Sequence, residues 1–151
     1  MRIEDLKDAL RERLTEVFHS QIVSVLGTSA SDEPYSCLVG FEFTPDMKEV
    51  VFATMRDRLK YRQIIANPRV SLMIDNRKNA PSDFNKTTSV TLIGEAVDTE
   101  LPERDRLAEM LVKKNPFLSD FVKSPDCAVV KIRIEKMYIV DNFESVTKIE
   151  F

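Results

Sequence analysis

Phe52-Ala53-Thr54-Met55-Arg56-Asp57-Arg58-Leu59-Lys60-Tyr61-Arg62 takes the chain out of one regular element and into another. Residues 49–54 read as a β-strand of apolar and β-branched residues. Residues 58–66 read as a short helix, which Asn67-Pro68 stops because proline has no N–H to continue it. Four cations, Arg56, Arg58, Lys60 and Arg62, crowd the junction. A helix N-terminus already presents unpaired N–H groups and positive dipole character, so cations ordinarily avoid it. A bound phosphate would account for them by accepting from the N–H groups and pairing with the side chains. A solvated basic turn with Asp57 as its local counter-charge accounts for them equally well.

Working outward, residues 4–18 pattern as an amphipathic helix with Leu6, Leu10, Leu14, Val17 and Phe18 on one face. Residues 21–27 form a short β-like run, and 28–33 a polar turn. Residues 34–43 alternate, with Tyr35, Cys37, Val39, Phe41 and Phe43 on one side. With the strand at 49–54, these predict a three-stranded antiparallel meander. Downstream, strands are expected at 70–75, 88–98, 127–134, 136–140 and 146–151, a polar loop at 76–86, and a helix at 101–114 with one further turn at 117–121. Gly94 inside the long strand marks a bulge or a close approach. Connections this short exclude right-handed crossovers. The expected fold class is therefore α+β, mainly β: a single domain over 1–151 built as an antiparallel split β-barrel of six to seven strands with peripheral helices.

Composition removes several function classes. Hydrophobic residues make up 43% and charged residues 31%, which are globular proportions. A net charge of −3 gives no whole-molecule field for nucleic acid, so none is expected as a partner. No apolar run approaches the ~20 residues that span a bilayer, and the charged start Met1-Arg2-Ile3-Glu4-Asp5 has no signal-peptide h-region; a cytoplasmic protein without membrane contact is expected. The three glycines are isolated, which excludes a Walker loop and a GxGxxG turn. His19 is the only histidine, so a multi-histidine metal site is excluded and no metal is expected. A charged His19 facing the end of the first helix explains it better than catalysis. Cys37 and Cys127 lack CxxC spacing and read as small apolar residues in a reducing compartment. Tyr138 and Phe143 read as core.

Three pieces of sequence agree in order and spacing: Thr54 with Lys60 six residues on, then Asn67-Pro68-Arg69-Val70-Ser71-Leu72, then Val90-Thr91-Leu92-Ile93-Gly94-Glu95-Ala96. Together they resemble the pyridoxamine 5′-phosphate oxidase-like, FMN-binding split-barrel superfamily, and the order of elements extends the resemblance over nearly the whole chain. It implies FMN as cofactor, with flavin sites at the interface of a homodimer. It places Cys37, Leu38 and Val39 along the flavin ring, Ala53 and Thr54 against ring and ribityl chain, and Lys60 on the phosphate. It brings Ser89 to the cofactor from the partner subunit. Arg58 and Arg56 become candidates to support the phosphate, because Cys37 and Leu59 stand where the oxidases carry basic residues. Asn76 and Arg77 are further cofactor candidates, against an Asx-type turn with an exposed arginine.

The function implied is an FMN-binding oxidoreductase acting with a small-molecule electron donor or acceptor that the sequence does not specify, and no catalytic residue is singled out. The alternatives are a non-enzymatic flavin-binding or stress protein, and a related barrel binding heme or a deazaflavin. A true pyridoxamine 5′-phosphate oxidase is not expected. The C-terminal segment 139–151 contains no arginine, histidine or tryptophan, and Val140 stands about where the oxidases carry a tryptophan.

Overall fold

A computed structural model describes all 151 residues. After a single turn at Ile3–Asp5, α1 (Asp8–Ser20) leads into the hairpin β1 (Val23–Ala30) and β2 (Glu33–Gly40). β1 runs three residues, and β2 one residue, into the stretch 28–33 that its polar composition marks as a turn. Ser31 and Asp32 make the turn alone, both at positive φ, as a two-residue hairpin requires. Then follow β3 (Glu42–Phe43), β4 (Glu49–Met55), α2 (Leu59–Ala66) and β5 (Arg69–Asp75). The expected polar loop contains one short helix, α3 (Asp83–Lys86). It is followed by β6 (Thr88–Asp98), α4 (Glu103–Lys114), α5 (Ser119–Lys123), β7 (Cys127–Asp141) and β8 (Ser145–Glu150). Two strands expected at 127–134 and 136–140 are one, β7. Its register slips opposite Ile93/Gly94, where Glu135 is passed over. That bulge keeps the strand continuous while bending it.

The expected meander is corrected. β1 pairs with β2 and β3 with β4, but β4 pairs with β7 and not with β2. All named pairs are antiparallel, and the order is β2-β1-β5-β6-β7-β4-β3 with β8 on β7. β2 and β3 thus stand at opposite ends of the order, yet only Phe41 separates them in sequence. The sheet must therefore curl until its two ends meet, which makes it a split barrel.

Alternation decides what fills it. Leu26, Leu72, Ile74, Leu92, Ile132 and Met137 point inward and are fully buried, and α1 closes one end with Leu14, Val17 and Phe18. Phe18 stacks on Phe43 with centroids 3.8 Å apart. β4 and the first half of β7 are buried on both faces, because α4 lays Leu107, Ala108 and Leu111 over Val51 and Val129. Each leucine so buried contributes about 1.5–3 kcal/mol.

Candidate functional site

The strand–helix junction is held rigidly from beneath. Arg56 donates to the carbonyls of Pro125 (3.2 Å) and Cys127 (3.1 Å) and reaches Asp98 at 3.5 Å. Tyr61 donates its hydroxyl to the same Asp98 carboxylate at 2.8 Å. Burial, with Asp98 beside it, holds the Tyr61 phenol above its usual range. Arg56 is thereby committed to structure, which removes it from the candidates for a phosphate. On the other side, Thr28 donates to Gln63 Oε1 (2.5 Å), and Gln63 Nε2 donates to the Glu33 carbonyl (3.3 Å). These two bonds tie α2 to the β1–β2 hairpin, and Ile64 anchors its underside in the core.

Between hairpin and helix lies a groove of about 650 Å³. Leu38 and Val39 of β2 and Ala53, Thr54 and Met55 of β4 line it, with Leu118 and Phe121 closing one side. Arg58, Lys60 and Arg62 stand at its basic end. Lys60 pairs with no carboxylate. Arg58 has only the exposed Asp57, 3.8 Å away, and Arg62 turns back to donate to the Asp57 carbonyl at 2.6 Å. The first amide of α2 with a backbone partner is that of Arg62, which donates to the Arg58 carbonyl. The amides of Leu59, Lys60 and Tyr61 ahead of it donate to nothing in the chain, as expected for a first helical turn. The groove thus combines an apolar wall with a cationic, donor-rich end, which suits a planar molecule carrying a phosphate.

The structure brings Leu38, Val39, Ala53, Thr54, Arg58 and Lys60 together on this groove. Cys37 does not line the groove; its side chain packs against the core. Burial pushes its thiol above the usual range, with Lys60 opposing, so it stays protonated at neutral pH. Asn76 is structural: its Oδ1 accepts from the Thr88 amide at 2.8 Å. Arg77 pairs with Asp75 at 2.9 Å, and the Arg77 amide donates to Asp75 Oδ1, which is the Asx-type turn. Arg77 and Ser89 line a different hollow of the same chain. His19 is exposed in the last turn of α1 and lines neither of these two sites. Two expectations are overturned: Tyr138 lies half-buried on the outer sheet face, and Phe143 is exposed in the β7–β8 turn. Hairpin geometry, not hydrophobicity, places Phe143. Leu118 and Phe121 escaped the sequence reading because only the approach of the segment after α4 puts them on the groove.

No helix is long and apolar enough to cross a membrane. No cluster of His, Cys, Asp and Glu could hold a metal ion.

Comparison with known proteins adds the family. A Schizosaccharomyces pombe protein, described as a pyridoxamine 5′-phosphate oxidase homolog, is 28% identical over 148 residues, covering 77% of each chain. Among solved structures, a heme binding protein from Mycobacterium smegmatis superimposes with a TM-score of 0.79 at 17% identity over 89% of this chain. This chain spans only 55% of that protein's length. A FAD-binding protein from Mesorhizobium loti gives a TM-score of 0.68 at 19% identity, over 84% of this chain and 89% of its own. At such identities these likenesses speak for the fold alone. The model of the pyridoxamine 5′-phosphate oxidase family, however, matches residues 10–141. That span takes in the whole barrel up to the end of β7 and every groove residue named above, and the chain accordingly belongs to the pyridoxamine 5′-phosphate oxidase family.

Proposed function

We propose that the groove binds FMN and that the chain works as a homodimeric flavoprotein oxidoreductase on a small molecule other than pyridoxine phosphate. The observation that carries this is Lys60: an unpaired ammonium at the cationic end of an otherwise apolar groove, beside three free helix amides. Lys60 and Arg58 would hold the phosphate, while Leu38, Val39, Ala53 and Thr54 would flank the ring and ribityl chain. Bound there, the flavin supplies the redox chemistry. The chain supplies position, a cationic seat and an apolar wall that excludes water from the ring. One basic cluster serves one phosphate, which favours FMN over FAD. For heme, the groove offers no histidine; its possible axial donors are Tyr35 and Met55.

The homodimer is supported by the outer sheet face. Register aligns Leu38, Val25, Met73, Thr91 and Tyr138 in one row across five strands. Leu38 is 67% exposed, and the other four are half-buried. A second copy related by a two-fold axis would cover this row and could bring Ser89 and Arg77 to its partner's flavin.

The visible spectrum of freshly purified protein, followed by analysis of the released cofactor, tests the reading. Two-banded flavin absorption with FMN in the denatured extract is expected. A Soret band, a deazaflavin spectrum, or FAD in the extract overturns it. Reduction of the bound flavin by reduced nicotinamide, with turnover, would separate an enzyme from a passive flavin carrier.

A further inference from the structure

The second hollow, about 410 Å³, lies between the 76–87 segment and the ends of β6 and β7. Phe84 of α3 and Phe143 of the β7–β8 turn line it as a contacting pair, ring centroids 5.1 Å apart and planes tilted by 40°. Both rings are largely open, 65% and 61% exposed, so the pair is not core packing. Phe143 also stands at φ 64°, directly after Asn142 at φ 54°. Asn-Gly is the sequence such a turn prefers, and a bulky residue at the second position is strained. The chain therefore keeps this ring in place against its own backbone preference, a pattern typical of functional positions. Met73 and Val140 complete the apolar walls.

The charges in the hollow are already matched. Arg77 is paired with Asp75, and Asp83 accepts from the amides of Lys78 (3.0 Å) and Ala80 (3.2 Å). No free cation waits for an anion, in contrast to the groove. The remaining polar groups are uncharged: the Asn79 amide, Ser89 in the wall, and Thr87, whose buried Oγ1 has no hydrogen-bond partner.

We infer that this hollow binds a small, uncharged, planar aromatic molecule carrying a hydroxyl or carbonyl edge, packed against the Phe84–Phe143 pair and met by Ser89. The volume admits a compound of two or three fused rings and not a peptide. That such a molecule would sit beside a flavin and exchange electrons with it rests on the dimeric reading above; its binding rests on the hollow alone.

The probes are 2-naphthol and 2-naphthoate, which share a ring system and differ in charge. Each is titrated calorimetrically into the purified protein before and after saturation with FMN. Naphthol is expected to bind in both states, and naphthoate at least ~10-fold more weakly, because its carboxylate would be buried without a partner. Phe143→Gly is expected to weaken naphthol binding ~10-fold or more through loss of an aromatic wall. The same variant should keep or raise Tm, because glycine relaxes the turn. Lys60→Ala should weaken FMN and keep naphthol, which separates failure of the flavin reading from failure of this one. Equal binding of the two probes, undiminished binding by Phe143→Gly, or no binding of naphthol to the wild-type protein overturns the inference. So does loss of naphthol binding on FMN saturation, which would mean that the hollow houses the flavin ring itself.

Discussion

Lys60 is an ordinary surface lysine in every respect except its surroundings. It has no carboxylate partner, it stands beside unpaired amides, and it edges an apolar groove. A charge-assisted hydrogen bond to phosphate is worth about 1.5–3 kcal/mol, or roughly 10- to 100-fold in affinity. Lys60→Ala is therefore expected to weaken FMN by that factor while leaving riboflavin binding nearly unchanged. Equal losses measured by flavin fluorescence quenching would assign Lys60 to folding instead. Lys114 shows the opposite situation. Its ammonium donates to the Phe18 carbonyl at 2.7 Å and lies 3.7 Å from the centre of the Phe41 ring. Burial pushes it down to about 8, with Glu42 opposing. The unfolded chain keeps that proton up to the ordinary lysine range, near 10.4. Between these values the unfolded state binds more protons, so this group makes stability rise with pH; below about 8 both states are protonated and its contribution is flat. Urea midpoints from pH 7 to 10 should show a shallower rise for Lys114→Met than for the wild type.

At the scale of elements, the bulge between β6 and β7 is the joint on which the barrel bends. A Cβ on Gly94 would lie 2.2 Å from the Arg133 carbonyl oxygen and 2.8 Å from the Ile132 side chain. Backbone cannot yield there without breaking the ladder. Gly94→Ala is expected to cost about 3 kcal/mol, the upper end for inserting a methyl into packed structure. At about 3 °C per kcal/mol for a domain of this size, Tm falls by roughly 10 °C. Gly27→Ala serves as the control. Its Cβ would meet only the Ser71 hydroxyl, which can rotate away, so a much smaller shift is expected in the same melting experiment. α2 depends on Gln63 in a similar way. The side chain bridges Thr28 and the Glu33 carbonyl, and so sets the width of the groove without touching a ligand.

For the whole molecule, the outer face of the sheet is the surface that a single chain leaves half-covered. Sedimentation at low micromolar concentration should show a species near twice 17.4 kDa. A 17.4 kDa species with FMN bound would refute the dimer. Substrate choice is decided at this scale too. Asp141, Glu144 and Glu150 lie in the segment where the oxidases bring positive charge. Asp141 is paired with Arg13 and Glu150 with Lys148, which leaves Glu144 as the acid that would repel a second phosphate there. The FMN-loaded protein should therefore form no pyridoxal phosphate from pyridoxine phosphate and oxygen at ~1 s⁻¹ or faster, the ordinary range for an enzyme. Fold and cofactor leave the substrate open, because specificity lies in the side chains that surround them.

Local physics made much of this chain readable in advance. Alternation located nearly every strand, Asn67-Pro68 stopped α2 at Ala66, and the β6 pattern ran from Thr88 to Asp98 as expected. The crowd of cations at the head of α2 was legible because dipole and charge act within one turn. Only the tertiary structure decided which strands pair. β2 and β4 are consecutive long strands, yet they end on opposite sides of the order, because β4 finds its partner in β7, far along the chain. Packing at a distance likewise turned Arg56 toward Asp98, sent Cys37 inward, and gathered Leu118 and Phe121 onto the groove. It also parted Ser89 and Arg77 from the groove residues, so that one chain carries two hollows. Pairing partners and side-chain surroundings are set by contacts between residues far apart in sequence, and short-range periodicity carries no information about those.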